Sequence, residues 1–174
     1  MPVVMAIDES NNAAAMVVVN YEDLPRLTKD FRRIRHFREV KRNRNRYLKE
    51  ESKPKLEKAV RKYYLELRYY PKIGHYFWED VEYYAQFGLE IIADDKLWRA
   101  VVGRFEDVQI SIVKEGDIAS AIEELKQKLW KAQKEKDIIT QAEAERELEY
   151  YLQRKILITI ADNHVNLRRR GLKH

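Results

Sequence analysis

The sequence predicts an all-α protein, an extended basic N-terminal helical arm followed by a small C-terminal helical bundle. Three observations lead there. Among 174 residues there are only five Gly and four Pro, so turns are few and helices long. Apolar residues recur at helical spacing along Leu56–Tyr70 and again along Ile118–Ile156. Charge is unevenly laid out: residues 26–68 hold 17 Lys or Arg against 6 Asp or Glu, whereas residues 69–167 hold 13 against 19. The expected division is an irregular N-terminal tail over residues 1–25, the basic arm over 26–70, the bundle over 71–167 and a basic tail over 168–174.

Residues 1–20 read as irregular or extended. Asp8-Glu9-Ser10-Asn11-Asn12 is turn-like, and Met16-Val17-Val18-Val19 is β-branched but short. Pro25 suits a helix start. From Thr28 to about Glu51, Phe31, Ile34, Phe37 and Val40 recur every three residues, one narrow stripe on a helix otherwise covered in cations. Ser52, as an N-cap, and Pro54, in a first turn, predict a helix restart. Leu56, Val60, Tyr63, Leu67 and Tyr70 then form one face until Pro71 and Gly74 stop it.

Trp78–Ala93 supports another helix through Val81, Tyr84, Ala85 and Ile91, and Asp94-Asp95 can cap a short one carrying Leu97, Trp98, Val101 and Val102. Asp107–Val113 alternates as a strand would, yet a lone strand has nothing to pair with. Gly116-Asp117 opens a helix through Ile118, Ile122, Leu125, Leu129 and Ala132. After Lys134-Glu135-Lys136, Asp137 opens a second, running to about Val165. The two predict an antiparallel helical hairpin.

Composition excludes several function classes. There is no Cys, hence no disulfide, thiol nucleophile or thiolate metal site. No apolar run is long enough to span a membrane. The four His are scattered with no ligand-spaced pair, the Ser residues sit in no nucleophile setting, and no phosphate-binding glycine loop is present. Asp94-Asp95-Lys96 is similar to the acid–acid–lysine end of a nuclease site, but Asp is expected at a helix start as a cap. Asp162-Asn163-His164 could bind a metal, although a polar cluster near a helix end is commoner. The expectation is no enzyme, no cofactor and no metal. The doubled tyrosines, such as Tyr63-Tyr64 and Tyr150-Tyr151, read as core or contact residues.

The arm is the strongest functional signal. Arg outnumbers Lys between residues 26 and 46, and the guanidinium fork suits phosphate oxygens. A polyanion is the natural partner, since each neutralised phosphate releases counterions. No base-reading module fits, and the cations spread further than one groove-reading helix needs.

A tail, a long Arg-rich helical arm (Thr28–Arg68) and a C-terminal helical bundle (Lys72–Val165) resemble the major coat proteins of filamentous and rod-shaped archaeal double-stranded DNA viruses, the lipothrixvirus-like and rudivirus-like kind. That resemblance implies a structural nucleoprotein of the virion. It would wrap double-stranded DNA, in A-form, sequence-independently, and assemble into a helical filament with copies of itself or a paralogous coat subunit. Under it Arg32, Arg33, Arg35, Arg38, Lys41, Arg42, Arg44, Arg46 and Lys49 line the nucleic acid, and Lys53, Lys55, Lys58, Arg61 and Lys62 continue the track. Arg168, Arg169 and Arg170, with Lys173, are a possible second contact. The alternatives are a small helical DNA-binding regulator, an RNA-associated helical subunit of a ribonucleoprotein complex, and a helical interaction protein that binds no nucleic acid; the alternative location to the virion is cytoplasmic.

Overall fold

A computed structural model of the chain describes residues 2–171. It corrects the all-α expectation. The core is a mixed five-stranded sheet in the order β3-β2-β1-β4-β5, formed by β1 (Val3–Ser10), β2 (Ala13–Asn20), β3 (Glu66–Tyr70), β4 (Gly88–Ala93) and β5 (Ser111–Lys114). β1, β2 and β3 pair antiparallel, while β4 runs parallel to β1 and β5 parallel to β4.

The stretch expected to be an irregular tail is thus the centre of the sheet. Its turn is Asn11-Asn12, both left-handed (φ 49° and 67°), which a two-residue hairpin requires and Asn tolerates. The strands do not alternate apolar with polar because both faces are covered. On one face Val4, Ala6, Val17, Val19 and Ile92 meet Leu157, Ile158, Ile160 and Ala161 of the long helix α7 (Ile138–Arg169). On the other, Met5, Ile7, Met16 and Ile91 meet Phe77 and Val81 of α4 (His75–Ala85) and Leu97 and Val101 of α5 (Asp95–Arg104).

The extended basic arm is also corrected. Residues 24–63 fold back onto the α7 face as α1 (Leu24–Asp30), an irregular segment, the single turn α2 (Arg44–Arg46), a π-helical turn over Tyr47–Ser52 and α3 (Lys53–Tyr63). Phe31, Phe37, Val40, Leu48 and Leu56 all enter the core there. The spacing of three that suggested a helical stripe is the period of 3₁₀ turns: Ile34 N donates to Phe31 O, Glu39 N to His36 O and Val40 N to Phe37 O. α3 opens where the restart is expected, at Lys53 with Pro54 in its first turn, but it carries straight on from the π-turn. Ser52 caps nothing, and the helix continues through Pro54 because the π-turn ahead of it absorbs the missing N–H and the ring. Tyr64, left-handed (φ 54°), ends α3, so Leu67 belongs to a strand.

The bundle expected over 71–167 is not one. β4 and β5 interrupt it, β5 finding in β4 the partner the sequence did not reveal. The hairpin of α6 (Glu115–Lys134) and α7 is present as expected. The buried pair Arg154–Glu90, at 3.0 Å, ties α7 to β4. Among the described residues no helix is long and apolar enough to cross a membrane.

Candidate functional site

Register brings the chemistry together. Ile7 of β1 lies beside Ala93 of β4, and Ala93 beside Lys114 of β5. The next residue of each chain segment is an acid: Asp8, Asp94 and Glu115. Side chains alternate along a strand, so Asp8 follows Val4 and Ala6, and Asp94 follows Glu90 and Ile92, onto the α7 face. There α7 supplies Asp162. Asp8, Asp94 and Asp162 are buried, each no more than 6% exposed. The site therefore lies at the carboxyl ends of adjacent parallel strands, where open α/β sheets form their crevices.

Each carboxylate is held. Asp94 accepts from Leu97 N at 2.8 Å, capping α5, and from Glu9 N at 2.9 Å. Asp162 accepts from Phe37 N at 2.7 Å, and Asn166 Nδ2 donates to its Oδ1 at 3.3 Å. Asn163 Nδ2 donates to Arg35 O at 2.8 Å, so α7 straps the segment that carries His36. That imidazole reaches in, its Nε2 3.4 Å from Asp162 Oδ1 and 3.5 Å from Glu115 Oε1.

Negative charge is in excess. Burial pushes Asp8 well above the ordinary carboxylate range, and the charges of Asp162, Asp94 and Glu115 push it further. The facing Asp8 and Asp162 carboxyls favour a proton on Asp8 over one on Asp162. Burial raises Asp162 as well, with the neighbouring His36 offsetting part. Asp94 is pushed up to about 6 by burial, against the two N–H groups that favour its ionised form. Buried carboxylates in this state need a proton or a cation.

The acids floor a cleft of about 470 Å³ whose walls include Arg38, Arg44, Lys96, Lys155, Arg169 and Arg170. Arg44 lies 3.9 Å and Arg170 4.5 Å over the Phe37 ring. Burial, then Arg169 and Arg44, disfavour the charge of Arg170, the signature of cations crowded with too little counter-charge. Among the described residues no three His, Asp or Glu side chains are placed to hold a metal ion as they stand. With Asp8 facing Asp162 and His36 leaning on both Asp162 and Glu115, a cation would replace the proton and displace the imidazole. The donor set, carboxylate oxygens alone, suits Mg²⁺ or Mn²⁺.

Of the cations expected to line nucleic acid, the fold brings Arg38, Arg44, Arg169 and Arg170 to this cleft. Arg32 pairs with Glu149, Arg35 with Glu51, Arg46 with Glu50, Lys53 with Glu57 and Lys62 with Asp30. Arg33, Lys41, Arg42, Lys49, Lys55, Lys58 and Arg61 are not among the cleft's lining residues. Arg168 packs over Tyr69 instead, and Lys173 lies outside the described residues. Sequence reasoning passed over Asp8, Glu115 and His36, and set Asp94 and Asp162 aside. One signal was there: the apolar runs Val3–Ile7 and Ile91–Ala93 each end on an Asp. Compared with known proteins, the chain matches no family model, no curated sequence and no solved structure.

Proposed function

We propose that this protein is a metal-dependent nuclease that hydrolyses phosphodiester bonds in the cleft above Asp8, Asp94 and Asp162. One observation carries the reading: buried carboxylates from adjacent parallel strands and a facing helix, beneath Arg38, Arg44, Arg169 and Arg170, none of which has an acid partner among the described residues. Asp8, Asp94 and Asp162, with Glu115 beside them, would hold divalent cations, which would supply charge neutralisation and an activated water at a phosphoryl centre. Arg38, Arg44, Arg169 and Arg170 hold the flanking phosphates, and Lys155 adds a point charge at the wall. Asn166 keeps the Asp162 carboxylate in place through its amide.

Nucleic acid remains the expected partner, but the wrapping-coat reading rested on an extended arm and a bundle that the fold does not contain. A-form DNA and the virion were implied by that resemblance alone. Against the expectation of no catalysis we set Asp94, read as a mere cap, which both caps α5 and floors the cleft.

The test is cleavage of end-labelled single-stranded, duplex and branched DNA and of RNA, with Mg²⁺ or Mn²⁺ and with chelator. Cation-dependent cleavage by the natural protein, lost in Asp8→Asn and Asp162→Asn, is expected. Absence of cleavage of every form with either cation, or cleavage that survives both substitutions, overturns the proposal.

A further inference from the structure

A second feature stands apart from the cleft. The distal part of the α6–α7 hairpin carries three large apolar side chains in water: Trp130 is 64% exposed, Ile138 78% and Ile139 74%. Single exposed apolar residues are ordinary, but three at one tip mark a contact. Each helix is neutral as a whole, but toward the tip the two carry opposite charge. Residues 126–136 of α6 and the turn hold five Lys and one Glu, and residues 143–149 of α7 hold four Glu and one Arg.

Those charges do not neutralise each other within the hairpin. Its seam is apolar, through Leu125, Ala132 and Ala144, and among the described residues no ion pair joins a Lys of residues 126–136 to a Glu of residues 143–149. Among the described residues the only one of those Glu in an ion pair is Glu149, whose partner is Arg32. The lysines and glutamates face outward, on adjacent helices.

We infer that the α6–α7 hairpin docks a second copy of this chain, through a two-fold contact that lays α6 of each copy on α7 of the other. A copy matches both helices at once, Lys on Glu twice over, with Trp130, Ile138 and Ile139 covered beside them; a two-fold contact requires this kind of self-complementary patch. A polyanion would suit α6 but be repelled by the glutamates alongside. The tip is also far from the cleft: Ile138 and Asp162 are 24 residues apart on one helix, roughly 36 Å. Docking there leaves the cleft open.

The experiment is sedimentation velocity on the full chain at rising protein concentration and two salt concentrations. The natural protein should dimerise, more weakly at high salt. One variant reverses Lys126, Lys128 and Lys131 to Glu, and another reverses Glu143, Glu145 and Glu147 to Lys. Each should be a folded monomer by circular dichroism, and an equal mixture should form a one-to-one heterodimer. If either variant is unfolded, Trp130→Ser with Ile139→Ser serves, and loss of the dimer is expected there too. A natural protein that stays monomeric throughout overturns the inference, as do folded reversal variants that still dimerise alone or fail to pair when mixed. A monomer whose lysine reversal weakens nucleic-acid binding assigns the hairpin to nucleic acid instead.

Discussion

Asp94→Asn should make the protein more stable when no divalent cation is present, although it removes a helix cap's charge. The displacement of Asp94 from 3.8 to about 6 corresponds to roughly 3 kcal/mol by which its ionised form weakens the fold near neutral pH. The sign follows from proton binding. Between pH 3.8 and about 6 the native state holds a proton that the unfolded chain releases, so this group's contribution to stability grows as pH falls through that window. An asparagine needs no proton. It can accept from only one of Leu97 N and Glu9 N, where Asp94 accepts from both, which returns about 1 kcal/mol. The net gain is about 2 kcal/mol, read by urea unfolding in chelator near neutral pH. Mg²⁺ or Mn²⁺ should stabilise the natural protein by about 2.7 kcal/mol at a hundredfold excess over its dissociation constant, and the variant far less. If the variant is the less stable in chelator, and the natural protein ignores both cations, the reasoning about a cation-seeking site fails.

Three further outcomes are expected. Burial lowers His164 to about 4 from 6.5, so the unfolded chain takes up a proton that the fold refuses, and stability falls by up to roughly 3 kcal/mol as pH drops through that window; His164→Leu should flatten this loss in acid unfolding curves. Arg154→Met, which strands Glu90 in the core, should cost about 3–5 kcal/mol by urea unfolding, while adding Glu90→Leu should recover most of it. Arg38→Ala and Arg169→Ala should each weaken nucleic-acid binding and reduce the salt slope by about one, whereas Lys55→Ala and Lys58→Ala, away from the cleft, should change it little in the same titration.

The parts of the fold that were legible had a single face to bury. α6 and the first half of α7 each show one apolar stripe, and their hairpin is where the spacing places it; from Leu157 to Leu167 α7 is buried on all sides. The parts that were not legible broke that premise. β1 and β2 bury both faces, so they carry no alternation, and a short apolar run reads equally as strand or tail. Leu67 and Tyr70 keep helical spacing with Tyr63, yet the left-handed Tyr64 between them turns the chain into β3. Phe31, Ile34, Phe37 and Val40 misled because a spacing of three fits a 3₁₀ turn better than an α-helix. For the site, local reading failed at Asp94, whose capping role was correct and incomplete. What makes it part of the cleft is the lateral register of β1, β4 and β5, a non-local fact.

The charge map has a counterpart in the fold once distance in sequence is separated from distance in space. The acidic first segment supplies Asp8, the basic second supplies Arg38 and Arg44, and the acidic body supplies Asp94 and Asp162. Folding brings these blocks together without pairing them off. Asp8 is left to hold a proton against Asp162, while Arg170 is crowded by Arg169 and Arg44. Interleaving the two signs would have stabilised the fold with the same residues. Keeping cations in one layer and carboxylates in the layer beneath weakens the free protein, and under the proposed function the arrangement would become favourable when a phosphate enters against the first and a metal ion against the second.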